Sequence, residues 1–127
     1  MKRENISTGS KWEPVLGYSR AVKVGNMVFV AGTTGADAEG KFAPDAGAQA
    51  RQAIQNILAG LEKAGATAAD VVRTRIFVTD ISQWEAIGRA HGEVFGEIRP
   101  AMAMVEVSKL IDPAMLVEIE ADAFITG

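Results

Sequence analysis

Carboxylates alternate with apolar residues near the end of the chain. Glu118, Glu120 and Asp122 are separated by Ile119 and Ala121, the period-2 pattern of a strand with one apolar and one polar face. A carboxylate partly shielded from water can give a proton to a substrate or take one from it. The same side chains pointing into water would have no chemical role. The alternation alone is compatible with both interpretations.

A second stretch, residues 101–108, alternates in the same way and begins Ala-Met-Ala-Met. We predict that it pairs antiparallel with the carboxylate strand, because residues 109–113 contain Asp-Pro, a turn signal. The proposed register sets Met102 opposite Glu120. It places the even-numbered residues of both strands, carboxylates and methionines together, on one face of the sheet.

An earlier hairpin is predicted from two β-rich runs, residues 18–24 and 27–31, that flank Gly25-Asn26. An Asn-containing pair with glycine at this spacing favours a tight hairpin turn. In the expected register Tyr18, Arg20 and Thr33 emerge on the same face at the open end of this hairpin, next to the flexible Gly32. A half-buried tyrosine and a solvated arginine are equally ordinary in a sheet, so each residue alone is weak support for a site.

Two helices follow from apolar residues spaced three and four apart. The first spans 45–64, with Gly65 placed to end it. The second spans 83–96, and Ser82 with Glu85 has the spacing of a capping box.

Between the helices, residues 71–79 alternate, with Arg73, Arg75 and Phe77 on one face of a predicted strand. The sole histidine, His91, lies on the packed side of the second helix, far in sequence from a suitable partner, which favours a structural role.

The element order predicts one α+β domain over 1–127, a mixed sheet with two helices on one face. The uncovered face is too apolar for free water, so we expect a homo-oligomer.

The amino-acid composition argues against several classes of binding partner. The net charge is -3 with both signs interspersed, and there are no cysteines. These features argue against nucleic acid, anionic membranes, disulfides and thiolate metal sites. No apolar run approaches the roughly 20 residues of a membrane span. We expect a cytoplasmic protein that needs no cofactor or metal.

Several spaced motifs resemble one family. They are Gly17 to Gly32, Arg75 to Asp80, Arg99-Pro100-Ala101, Val105-Glu106-Val107 and Val117 to Ala121. Together they resemble the Rid (reactive intermediate deaminase) proteins, also called YjgF or L-PSP endoribonuclease-like. The resemblance implies a chorismate-mutase-like fold and a homotrimer around a central barrel, with a ligand cleft at each subunit interface.

The best-studied members hydrolyse imines and enamines made from amino acids, releasing ammonia and a 2-oxo acid. Carried over by position, the resemblance implies Glu120 as the catalytic glutamate and Tyr18 as a cleft residue. It also implies backbone contacts from Gly32 and Thr33. The arginine that grips the substrate carboxylate in those members is replaced here by Met102. A helix asparagine is replaced by Gly88.

The change at Met102 bears directly on function. A guanidinium offers paired donors to a carboxylate, whereas a thioether offers only dispersion and a weak acceptor. Loss of such a partner costs about 2–5 kcal/mol, so we expect a substrate shifted away from amino-acid-derived carboxylates. Arg20 is a candidate substitute for the missing guanidinium. A non-catalytic ligand-binding trimer is the alternative, and an endoribonuclease is the weakest interpretation.

Overall fold

The computed structural model describes residues 1–126. In chain order the elements are β1 (Arg3–Ile6), α1 (Trp12–Leu16), β2 (Ala21–Val24), β3 (Met27–Thr34), α2 (Ala46–Lys63), β4 (Val71–Val78), α3 (Trp84–Phe95), β5 (Ala101–Glu106) and β6 (Val117–Phe124). Short 3-10 turns at Ala68–Asp70 and Ile81–Gln83 lead into β4 and α3.

The strands form one six-stranded mixed sheet in the order β1-β2-β3-β6-β4-β5. Only the β4–β5 pair among the described strands is parallel, and the other neighbours are antiparallel. The predicted α+β fold is confirmed. The predicted β2–β3 hairpin is also confirmed, with Val24 opposite Met27 and Val22 opposite Phe29.

The predicted hairpin between β5 and β6 is wrong, because β4 lies between these strands. Met102 pairs with Thr74 of β4, whereas Glu120 pairs with Arg75. Since Thr74 and Arg75 are consecutive, their side chains point to opposite faces. Met102 and Glu120 therefore lie on opposite faces of the sheet.

The reason for this error is visible in β5 itself. Ala101, Ala103 and Val105 form one apolar row, and Met102 and Met104 form another. Either row could face the helices, so alternation leaves the choice open. In the folded chain Met104 packs against the core beneath the helices. The segment between β5 and β6 crosses to the far side of β4 instead of folding back as a turn.

Both long helices cover the same face of the sheet. α2 packs on β3, β6 and α3, and its apolar stripe supplies Ile54, Ile57 and Leu61 to the core. Asp45 caps the helix by accepting a hydrogen bond from the Ala48 amide at 2.7 Å. None of the helices within residues 1–126 is long and apolar enough to cross a bilayer.

The start of α3 differs from the expected capping box. The Ser82 hydroxyl donates to Asp80 at 2.7 Å, and Gln83 occupies the cap position without a side-chain hydrogen bond. Glu85 pairs with Arg89 one turn later instead of reaching back. The 3-10 turn ahead of α3 takes the place of the box, because Asp80 already accepts from the Ser82 amide.

The opposite face of the sheet, here called the open face, carries neither α2 nor α3. Its centre holds residues predicted for it: Arg73, Arg75, Phe77, Glu118, Glu120 and Asp122. Large apolar side chains surround this polar centre, and Phe29, Val105 and Phe124 are 42%, 47% and 43% exposed. Met102 and Met104 do not belong to this face.

Candidate functional site

A bulge in β3 is the local irregularity on which the site is built. Val30 pairs with Ala121 and Thr33 pairs with Ile119, so β3 has one more residue than β6 between these two pairs. Such a bulge kinks the strand and re-aims nearby groups. Gly32 lies within it.

The Glu118 carboxylate rests directly against Gly32. A Cβ placed on residue 32 would lie 2.6 Å from Glu118 Oε2 and 2.9 Å from its Cδ. The carboxylate therefore occupies space that any other residue type would need. This close approach explains a glycine inside a β-rich strand.

Glu118 is electrostatically unusual as well. Burial raises the pKa of the Glu118 carboxyl, with a smaller raising effect from Glu120, while the positive charge of Arg20 works in the opposite direction. Among residues 1–126, the ion pairs formed within 4 Å do not include Glu118. A half-buried carboxyl group of this kind holds its proton to higher pH than an exposed glutamate does, which suits it to proton transfer.

Glu120 is held differently. Arg75 Nη1 lies 3.2 Å from Glu120 Oε1 and 3.2 Å from Asp122 Oδ2, so one guanidinium is shared by two carboxylates. The catalytic role of Glu120 stays a prediction, but the geometry favours Glu118 for proton transfer. Sequence alternation treats the two glutamates alike. The glycine two residues before the end of β3 is the one sequence signal that could have singled out Glu118.

Tyr18, Arg20 and Gly32 meet at the open end of the hairpin, as predicted. Arg20 Nη2 donates to the Gly32 carbonyl at 2.7 Å, and Arg20 Cζ lies 5.5 Å from the centre of the Tyr18 ring. The stem of Arg20 passes near Gly60 of α2, where a Cβ would lie 3.9 Å from Cγ. The guanidinium is thus clamped from several sides.

One donor of this clamped arginine is unsatisfied. Arg20 Nε is buried and has no hydrogen-bond partner within residues 1–126. A buried unsatisfied donor costs about 1–3 kcal/mol, so its presence calls for an explanation. With Nη2 donating to Gly32 and Nε buried, the Nε edge of Arg20 does not offer paired donors to a ligand carboxylate.

Of the remaining predicted site residues, Thr33 lies beside Gly32 with its side chain buried, and Met102 lies away from the site. The Thr33 side chain is 2% exposed and its hydroxyl donates to the Ala31 carbonyl at 2.7 Å, so only its backbone is available. Met102 lies on the helix side of the edge strand and is 46% exposed. Three strands, β3, β6 and β4, separate β5 from the Arg20 segment. Arg20 cannot fill the place of the missing arginine within one chain.

A solvent-open depression of about 440 Å³ lies on the open face beside Tyr18, and its lining does not include Glu118, Arg20 or Gly32. Its lining includes Tyr18, Ser19, Phe29, Glu120 and Asp122. A second open hollow of about 670 Å³ adjoins it, formed largely by the segment before β2 and sharing Tyr18. Tyr18 therefore stands at the junction of both.

His91 lies away from this site, on the helix face. Its Nε2 is 2.9 Å from Thr74 Oγ1, and both side chains are buried. Burial lowers the pKa of the imidazole, and its ring packs against Phe95 with centroids 4.7 Å apart. These contacts agree with the predicted structural role.

Comparison with known proteins adds a family context. The family model described as Endoribonuclease L-PSP matches residues 8–125. A RutC family protein of Pyrococcus abyssi is 40% identical over 126 residues, covering 98% of both chains. A 2-iminobutanoate/2-iminopropanoate deaminase of Salmonella typhimurium is 36% identical over 110 residues, covering 84% of this chain and 85% of that protein.

Solved structures show the same fold. The crystal structure of a Mycobacterium tuberculosis protein, described as a member of the YjgF/YER057c/UK114 family, superposes with a TM-score of 0.91. It is 53% identical in sequence, and the match covers 98% of this chain and 100% of that one.

Proposed function

This chain belongs to the Endoribonuclease L-PSP family, which is also the YjgF or Rid family, and on that basis we propose that it hydrolyses a small imine or its enamine tautomer. Relatives named 2-iminobutanoate/2-iminopropanoate deaminase, at 36% and 34% identity, support this reaction class. The observation that carries the proposal is the half-buried Glu118 carboxyl resting on Gly32.

Imine hydrolysis needs one group that can donate and accept protons in turn. Protonated Glu118 gives its proton to the imine nitrogen, and the resulting carboxylate then takes a proton from the attacking water. The carbon–oxygen bond forms as the carbon–nitrogen π bond opens. The carbinolamine collapses as the reprotonated Glu118 gives its proton to the amino group and takes the hydroxyl proton in return. The carbon–nitrogen bond breaks, leaving a carbonyl product and ammonia. Because burial raises the pKa of Glu118, its carboxyl group is a better proton acceptor than an exposed glutamate and keeps its proton to higher pH.

We propose that the substrate depends less on a carboxylate than those of the deaminase-named relatives, because Met102 cannot grip one. Met102 lies on the far face of the sheet from Glu118. If it lines the substrate cleft, it does so from a second copy of the chain. A homotrimer with its open faces turned inward and clefts between subunits meets this requirement. It would also bury the exposed Phe29, Val105 and Phe124.

The test compares two substrates and two variants. Ammonia release is followed with 2-iminopropanoate, made in situ by an amino-acid oxidase, and with the imine of the corresponding neutral amide. We expect faster turnover of the neutral imine. Glu118→Gln should lower kcat/KM by about 100-fold or more, whereas the matched Glu120→Gln should retain most activity. Comparable losses in both variants would remove the distinction between the glutamates.

A non-catalytic ligand-binding trimer is the second candidate, favoured by the missing guanidinium at Met102. It predicts thermal stabilisation by neutral imine analogues or amides without ammonia release from any imine. Stabilisation confined to 2-oxo acids would contradict the proposed shift in substrate.

A further inference from the structure

We infer that Arg20 is a positioning residue for Glu118, holding the Gly32 backbone on which the carboxylate rests and acting on its charge through space. This inference uses the proposed function only in assigning proton transfer to Glu118. It concerns a side chain that does not itself touch the substrate.

The first support is the way Arg20 is fixed. Its guanidinium donates to the Gly32 carbonyl at 2.7 Å and lies over the Tyr18 ring at 5.5 Å. Gly32 belongs to the irregular part of β3, between the regular pairs at Val30 and Thr33. A residue in a bulge has fewer ladder contacts to hold it. The arginine supplies a substitute contact where the carboxylate needs a fixed surface.

The second support is that the Nε edge of the guanidinium is not arranged for ligand binding. Nε is buried without a partner in the described chain, and Nη2 already donates to Gly32. A carboxylate ligand is best gripped by a pair of free parallel donors. A planar, permanently charged group that is half-buried near a carboxyl acts as a fixed source of positive potential.

The third support is the charge around Glu118, taken element by element. On β6 the nearest charge is Glu120, which is negative. On β4 the directly opposite residue is the uncharged Phe77, and Arg75 beyond it is shared by Glu120 and Asp122.

The other elements around Glu118 are β3 and the segment before β2. On β3 the neighbours are the uncharged Gly32 and Thr34. The segment before β2 contributes Arg20. Burial and Glu120 both favour the neutral Glu118 carboxyl, and Arg20 is the cation that opposes them. Arg20 therefore makes Glu118 bind its proton less tightly than burial and Glu120 alone would.

The experiment is a carbon-detected NMR titration of Glu118, with its resonance assigned by loss in Glu118→Gln. In Arg20→Gln we expect the proton affinity of Glu118 to rise about three- to tenfold, with Arg20→Lys in between, because lysine keeps the charge and loses the planar fork. Arg89→Gln is the matched control. Arg89 is exposed and paired with Glu85, so its loss should leave the Glu118 titration unchanged.

If Arg20→Gln fails to fold, a reciprocal measurement on the wild-type protein tests the same inference. The Arg20 Nε–H resonance should titrate with the same midpoint as Glu118, and this response should vanish in Glu118→Gln. An unresponsive Arg20 resonance, or an unchanged Glu118 midpoint in folded Arg20→Gln, would overturn the inference. Neither readout depends on turnover. Inactivity of the protein on imines would therefore count against the proposed function without touching this result.

Discussion

The Glu118 carboxylate occupies the space that a side chain on Gly32 would need, because its oxygen Oε2 lies 2.6 Å from the position of a Cβ on residue 32. The contact joins β6 to the bulge of β3. It makes the position of one proposed catalytic group depend on the absence of a side chain on another strand.

Gly32→Ala should therefore uncouple activity from stability. The added methyl displaces the flexible end of Glu118 rather than backbone, so we expect a loss of about 1 kcal/mol in unfolding free energy and at least tenfold lower imine turnover. Gly35→Ala is the contrasting variant, because its Cβ would meet the Gln49 backbone. It should cost about 2–4 kcal/mol. Chemical denaturation and ammonia release measure both, and a fully active Gly32→Ala would contradict the role of this contact.

Glu118→Gln should stabilise the protein, and only above acidic pH. The pKa of Glu118 is raised in the folded chain, so folding disfavours its ionised form. This cost is absent below the ordinary value of about 4.3 and grows as the pH rises through the folded value. The melting temperature of the variant should exceed that of the wild type at pH 8 and match it near pH 3.5. An equal difference at both values would point to packing instead of ionisation.

His91 should produce the opposite dependence. Its pKa is lowered by burial, so the folded state disfavours the imidazolium. Stability should be complete above the ordinary value of about 6.5 and fall as the pH drops below it, because the unfolded chain then binds the proton more readily. His91→Gln, which retains a group able to reach Thr74, should flatten this slope between pH 6.5 and 5. Urea denaturation across that range measures how the unfolding free energy of each protein changes with pH. An equal slope in His91→Gln and the wild type would contradict this prediction.

The open face should control assembly. Phe29 is 42% exposed beside a polar centre, and Phe29→Glu would place a further negative charge opposite Asp122. We expect wild-type chains to scatter light as a particle of about three times the 13.4 kDa chain mass and the variant to dissociate. Val15→Glu, on an exposed position of α1, is the control and should remain assembled. A monomeric wild type at micromolar concentration would refute the proposed trimer.

Met102→Arg should extend the substrate range toward carboxylates. Since Met102 is 46% exposed, the new cation can stay partly hydrated and the fold should tolerate it. Turnover of 2-iminopropanoate should rise about tenfold or more, with a smaller gain for Met102→Lys, which lacks the planar fork. No gain in a folded variant would indicate that other positions, Gly88 first among them, also set the cleft.

The predictable part of the fold is the part with strong periodicity. Both long helices, the β2–β3 hairpin and the carboxylate strand follow from local patterns. The partner of β5 does not, because both of its faces are apolar and nothing local says which one meets the helices. Likewise, alternation groups Glu118 with Glu120. Only long-range contacts separate them, since Arg75 binds one and Gly32 lies under the other.

The position of β6 has a consequence for how the protein is made. This last strand lies in the interior of the sheet and joins β3 on one side to β4 on the other. Until residues 117–124 leave the ribosome, the earlier strands exist as two unconnected sets, each with an unpaired edge exposed to other chains. The sheet can therefore be completed only after β6 has been synthesised. Its completion involves contacts between distant parts of the sequence, which favours slow folding. Because Glu118 is on that strand, a chain shortened before residue 117 would lack both the completed sheet and its proposed proton carrier.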